Sequence, residues 1–252
     1  MSYPILRPTQ RYESFASKCA LAVMAKAPRP GRVKTRLSPP LTLEQSAALN
    51  VCFLRDTTQN IANIAMAGNS LGVISYTPVG EEFLFDGLLP AGFSLIPQRG
   101  DGFGERLLTS AQDLLACGFE SACLIDSDSP TVPGSAFRIA VEELQKPGDR
   151  IVLGGSEDGG YYLIGLKLPH PEPFTDIHWS TSTVYEETVS MIHKASIELI
   201  ELPRWYDVDD GETLALLRDE LLEGAQLPFA KTAGYSAPYS REFLRSLFGA
   251  GK

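Results

Sequence analysis

The sequence lacks most of the features that assign a chain at sight. Its four cysteines, Cys19, Cys52, Cys117 and Cys123, form no Cys-x-x-Cys pair. That argues against a zinc ribbon or a dithiol redox centre, and the four read as reduced, mostly buried thiols. Basic residues are in deficit, 22 Lys and Arg against 31 Asp and Glu, for a net charge of −9. Such a balance disfavours general binding to nucleic acid or to an anionic membrane surface, so any polyanion must be met locally. No run of about 18 apolar residues occurs, and residues 1–18 mix Arg7, Arg11 and Glu13 with prolines where a targeting segment would be apolar. The expectation is a cytoplasmic protein that neither inserts in a membrane nor is secreted. Two nucleotide motifs also fail: Gly31-Arg-Val-Lys-Thr35 lacks the Gly-Lys-Thr adjacency of a Walker A loop, and Gly100-Asp-Gly-Phe-Gly104 lacks the dinucleotide spacing.

What is present is a regular alternation of short apolar runs and helical segments over 252 residues that are 44% hydrophobic. It reads as one large α/β domain with a mainly parallel sheet flanked by helices. Cys19 to Ala25 has the composition of a strand buried on both faces. Thr42 followed by Gln45 is a capping box opening a long helix to about Ala67. Strands are expected near 71–76, 93–97, 121–125 and 151–153, the last followed by a carboxylate loop that opens at Gly154-Gly155, with a near-antiparallel return at 163–166 and a last strand near 198–202. Helices are expected near 105–117, 135–145, 183–194, 212–222 and 240–248. Residues 1–18 read as an arm, 19–224 as the domain and 225–252 as an extension packed on it.

Chemistry concentrates in four loops. Directly after the first strand, Lys26, Arg29, Arg32, Lys34 and Arg36 fall within eleven positions of an otherwise acidic chain. Pro28, Pro30 and Gly31 keep this stretch out of a helix and leave backbone N–H groups free for an anion. Its place at a strand C-terminal end favours a phosphate cradle over a merely solvated basic loop. After the fourth strand, Asp126-Ser-Asp128-Ser-Pro130 sets two carboxylates at i, i+2, a spacing that serves a hard divalent cation such as Mg²⁺ or Mn²⁺ or, alternatively, a helix cap. Glu157 with Asp158, and Asp207 with Asp209 and Asp210, supply further acid clusters, for which a hairpin turn and a helix cap are the competing readings. The Gly-rich turn at 100–104 surrounds Asp101, with Arg106 just beyond it. A cationic loop and carboxylate loops at one sheet end suit a nucleotide–metal site.

Six motifs in order, Lys26-Ala-Pro-x-Pro-Gly-x-x-Lys-Thr-Arg-Leu37, Gly-Asp-Gly-x-Gly-Glu-Arg106, Asp-Ser-Pro130, Glu-Asp-Gly-Gly-Tyr-Tyr162, Trp-Ser-Thr181 and Asp-Val-Asp209, cover about residues 20–217. Together they resemble an uncharacterised bacterial family of nucleotide-diphospho-sugar-transferase-like proteins, of the DUF2064 type, some of whose members are called arsenosugar-biosynthesis glycosyltransferases. The family is similar in turn to small guanylyl- and cytidylyltransferases. The resemblance implies the glycosyltransferase-A fold and a nucleotide or nucleotide-sugar substrate with a small-molecule acceptor. It implies that Lys26, Arg29, Gly31, Arg32, Lys34, Arg36 and Arg106 hold the phosphates and that Asp101 lies near base or ribose. Asp126, Asp128, Asp207 and Asp209 would bind Mg²⁺ or Mn²⁺, with Asp128 the main ligand, and Asp158 would face the acceptor or the metal, leaving Asp128 and Asp158 as the catalytic candidates. The leading reading is a metal-dependent glycosyltransferase. The alternatives are a nucleotidyltransferase releasing pyrophosphate, which five cations in one loop would suit, and a non-catalytic nucleotide-binding protein, which intact acid clusters disfavour. A homo-oligomer is compatible with all three.

Overall fold

Seven uncharged residues running up to Lys26 make Cys19–Lys26 the axis of the molecule, β1, flanked by parallel strands on both sides. The computed structural model describes residues 2–249. Its seven strands are β1, β2 (Ser70–Thr77), β3 (Ser94–Pro97), β4 (Ser121–Ile125), β5 (Arg150–Ser156), β6 (Tyr161–Leu166) and β7 (Glu198–Trp205), in the sheet order β3-β2-β1-β4-β6-β5-β7. All run parallel except β6, which lies antiparallel between β4 and β5. Two apolar clusters fill the two faces. Leu21, Val23 and Ile125 point to one, which includes residues of α1 (Leu43–Ala65), α3 (Gly134–Gln145), α5 (Gly211–Arg218) and α6 (Pro238–Phe248). Ala20, Ala22 and Leu124 point to the other, with α2 (Phe103–Cys117) and α4 (Val184–Lys194). This two-sided burial is why β1 and β4 read as continuous apolar runs rather than alternating ones.

Topology decides where the chemistry goes. From β1 the chain crosses to β2 on one side and later returns to β4 on the other, so the crevice at the C-terminal ends of β1 and β4 is a switch point of the kind where ligands bind in open α/β sheets. The basic loop leaves β1 there and Asp126 leaves β4 there. Because β6 is antiparallel, the turn before it, residues 157–160, comes to the same end, and β7, parallel to β5 with Ser156 opposite Trp205, delivers Asp207 there too.

Several local expectations are refined. Thr42 does cap α1 through a capping box with Gln45, and α1 closes at Ala65. The glycine run at 154–155 belongs to β5 rather than to the turn: a Cβ at Gly154 would lie 2.4 Å from the Tyr162 ring and one at Gly155 2.8 Å from Tyr185, so the missing side chains admit aromatics onto the strand. Pro238 starts α6 instead of preceding it, in the first-turn position where proline costs no hydrogen bond. Asp56 of α1 anchors that helix, accepting from the Tyr239 and Ser240 N–H groups at 3.0 and 2.8 Å and from Ser240 Oγ at 2.6 Å. The N-terminal arm is docked on the sheet edge, with Ile5 bridging Leu95 in parallel and Leu6 buried. The cysteines are free thiols, three of them buried and Cys52 half-buried.

Candidate functional site

Two cavities open side by side at the switch point. The first, about 480 Å³, is lined by five cations, Lys26, Arg32, Lys34, Arg36 and Arg106, against two acids, Asp128 and Asp209. The second, about 470 Å³, inverts the balance, with Asp126, Asp128, Asp158, Asp207 and Asp209 against Arg36 alone. Arg36, Asp128 and Asp209 line both and form the wall between them.

Lys34 is the keystone of that wall. It sits in the left-handed region at φ 48°, ψ 37°, a conformation a non-glycine residue adopts only at some cost, and its side chain is 5% exposed. The backbone turn aims the ammonium inward, where it reaches Asp128 Oδ1 at 2.9 Å, Asp209 Oδ1 at 2.7 Å and the Val208 carbonyl at 2.8 Å. Three donors thus meet three acceptors. Burial pulls the Lys34 pKa down, but Asp128 and Asp209 outweigh it and hold the ammonium above its ordinary value. Burial would raise Asp209 in turn, yet Lys34 and Arg36, which pairs with its other oxygen, hold it below the usual carboxylate range. Ser127 Oγ donates to Asp128 Oδ1 at 2.9 Å.

The other acids are less well matched. Burial, then the Asp128 charge, pushes Asp126 well above the carboxylate range, although Ser129 Oγ donates to it at 2.6 Å. Burial, then Asp158 and Asp209, pushes Asp207 up to about 7. Asp158 accepts from the Gly160 N–H at 2.8 Å, which fixes its own turn. That turn is braced by Gly159, at φ +91°, where a Cβ would lie 2.0 Å from the Ser182 carbonyl. Gly159→Ala therefore combines a forbidden φ with a backbone clash and should cost about 2–4 kcal/mol. Denaturant unfolding checks it, and a loss under about 0.5 kcal/mol would show that the two loops do not brace one another.

The sequence candidates divide accordingly. Lys26, Arg32, Lys34, Arg36 and Arg106 come together in the first cavity. Arg29 does not, being paired with Glu81 at 2.8 Å beside a separate hollow. Gly31, at φ +72°, shapes the loop without lining the cavity, and Asp101 is exposed outside it, with its N–H donated to Glu105. Of the four metal candidates, Asp128 and Asp209 converge on one point, presently held by the Lys34 ammonium, while Asp126 and Asp207 line the second cavity. Among the described residues no group of three or more His, Cys, Asp or Glu side chains is arranged to hold a metal ion. Two carboxylates that already share a cation fit a divalent ion that completes its shell with substrate oxygens and water, the usual habit of Mg²⁺. Glu157 lines neither cavity; its N–H donates to the Trp205 carbonyl. Sequence reasoning assigned no role to Trp179, Phe103 or Tyr161, which wall the second cavity. A tryptophan in a polar loop, Trp179-Ser-Thr181, was the available signal.

No helix among the described residues is long and apolar enough to cross a membrane. No curated protein matches the chain. A protein of Desulfovibrio desulfuricans G20, provisionally named a nucleotide-diphospho-sugar transferase, is 28% identical over 92% of this chain and 98% of its own, with a TM-score of 0.75. Two more distant structures share the fold: a CMP:2-keto-3-deoxy-manno-octonic acid synthetase complexed with CTP (11% identity, 83% and 100% coverage of this chain and that one, TM-score 0.53) and a cytidylyltransferase of Leptospira borgpetersenii (12%, 92% and 94%, 0.50). The family model described as "Uncharacterized protein conserved in bacteria (DUF2064)" matches residues 60–181, a segment that holds the Asp126–Asp128 and Asp158 loops and Trp179. That segment is similar to the DUF2064 family, in line with the motifs it carries.

Proposed function

We propose that the protein is a glycosyltransferase that takes a nucleotide-diphospho-sugar donor. The observation that carries this reading is the pair of abutting cavities of opposite charge, joined through Arg36, Asp128 and Asp209. A donor with its diphosphate in the cationic cavity would carry its sugar toward the shared wall and into reach of whatever occupies the acidic one. The likeness to the Desulfovibrio protein, whose name describes such a transferase, supports the same reading.

In this mechanism Arg32, Arg36 and Arg106 bind and orient the diphosphate through charge-assisted hydrogen bonds. Asp128 and Asp209 would hold Mg²⁺ or Mn²⁺, which when bound supplies positive charge to the departing diphosphate. An acceptor hydroxyl oxygen bonds to the anomeric carbon as the bond from that carbon to the diphosphate oxygen breaks. The hydroxyl proton passes to Asp158, a carboxylate that lines the second cavity, and the nucleoside diphosphate leaves with the electron pair. Five cations in the first cavity favour a second reading, nucleotidyl transfer from a triphosphate with release of pyrophosphate. Identifying the released phosphate species separates the two: a nucleoside diphosphate supports the first, pyrophosphate the second.

A further inference from the structure

We infer that the second cavity is the acceptor subsite and that it takes an uncharged, polyhydroxylated acceptor, a sugar or polyol, seated against Trp179. The inference rests on the glycosyl-transfer reading above and adds the chemical class of the second substrate.

Charge excludes the obvious competitor. An acceptor carrying a phosphate or carboxylate would need cations where it binds, and the cavity offers Arg36 alone, which it shares with the diphosphate cavity, among five carboxylates. Like charges at such separations in a half-enclosed site repel strongly. The demand for a cationic ligand is limited, because Asp128 and Asp209 already share the Lys34 ammonium, while Asp126 and Asp158 accept neutral donors, Ser129 Oγ and the Gly160 N–H. What remains is a set of hydrogen-bond acceptors facing a space that repels anions. Hydroxyl groups, each able to donate, are the chemistry such acceptors take.

The apolar wall points the same way. Trp179 is half-buried and lines the cavity, with ring edges set against Phe103 at 5.1 Å and Tyr161 at 6.4 Å between centroids. Its place is prepared by the backbone, since a Cβ on Gly104 would lie 2.6 Å from the indole nitrogen. A rigid indole beside carboxylates is a two-sided receptor: the ring packs against the C–H groups of a pyranose or polyol while the acids take its hydroxyls.

Indole fluorescence tests the inference. The chain has two tryptophans, and Trp205 is 1% exposed, so Trp179 dominates the response to added quenchers. With Mg²⁺ and whichever of UDP, GDP or CDP binds, iodide should quench Trp179 several-fold less efficiently than acrylamide or caesium, and the Asp158→Asn, Asp207→Asn double variant should narrow the gap. Calorimetry on the same complex would then compare matched pairs: glucose with glucose 6-phosphate, mannose with mannose 6-phosphate, and glycerol with glycerol 3-phosphate. The neutral members should bind at least tenfold more tightly, and Trp179→Ala should lose that binding while keeping nucleotide affinity within about twofold. Equal quenching by iodide and caesium, tighter binding of the phosphorylated members, or no binding of any neutral member would overturn the inference. Tighter binding of ammonium analogues such as glucosamine would overturn it in favour of a cationic acceptor. Failure of every nucleotide to bind at the outset would instead overturn the glycosyl-transfer reading beneath it.

Discussion

Asp128→Asn should remove the metal dependence of nucleoside diphosphate binding and weaken affinity in saturating Mn²⁺ by on the order of 10- to 100-fold, the ~1.5–3 kcal/mol of one charged hydrogen-bonding group. The fold should survive, because Asp128 is about one-third exposed and asparagine keeps an oxygen within reach of Lys34 and Ser127. Removing a carboxylate from the wall costs the site one of the two acids that converge on a cation. Nucleotide affinity without metal should change little or rise, since an anion then meets one negative charge fewer. Calorimetric titration with and without Mn²⁺ reads both effects. Identical Mn²⁺ dependence in the two proteins would place the metal elsewhere or remove it from the account.

Lys34→Met produces the second large effect, and in two measurements at once. Methionine keeps the buried stem and deletes the ammonium, leaving Asp128 and Asp209 facing each other without their shared counter-charge. Breaking one side of a fully buried pair costs ~3–5 kcal/mol. The two carboxylates here are 34% and 32% exposed, so solvent screening reduces the expected loss to about 2–3 kcal/mol, or roughly 5–10 °C in Tm for a chain of this size. A divalent cation should restore much of that loss in the variant and add less to the parent, whose carboxylates already hold a cation. Thermal unfolding with and without Mg²⁺ checks it. An equal Mg²⁺ increment in parent and variant would mean that Lys34 and the metal do not share a position.

The difference between what the residues reveal and what folding adds is clearest around this lysine. Lys34 reads from sequence as one of five cations in a phosphate loop, and nothing local distinguishes it from Arg32 or Arg36. Its partners lie 94 and 175 positions away. They meet it only because β1 and β4 are neighbours and β7, parallel to them, ends at the same end of the sheet. The sheet was legible because its determinants are local: an apolar run in β1, a capping box on α1 and an apolar run in β4 that stops at two carboxylates. The antiparallel return of β6 was legible for the same reason, since a short turn between apolar runs allows little else. Gly154 and Gly155 misled because a glycine pair ordinarily signals a turn, whereas here it admits the Tyr162 and Tyr185 rings onto β5. Arg29 was indistinguishable from its neighbours until Glu81, from another loop, took it. Trp179 was visible as a motif without a role, because its function depends on Gly104 and Phe103 arriving from α2.

The most direct test of the central claim is mass-spectrometric analysis of what the purified protein releases. With Mg²⁺ or Mn²⁺ present, one pool would contain UDP-, GDP-, CDP- and ADP-sugars with neutral sugars and polyols, and a second would contain nucleoside triphosphates with sugar phosphates. A nucleoside diphosphate and a glycosylated neutral product are expected from the first pool, both abolished in Asp128→Asn, with no pyrophosphate from the second. Pyrophosphate together with a new nucleotide conjugate from the second pool, and nothing from the first, would contradict it and make the cationic cavity a triphosphate site.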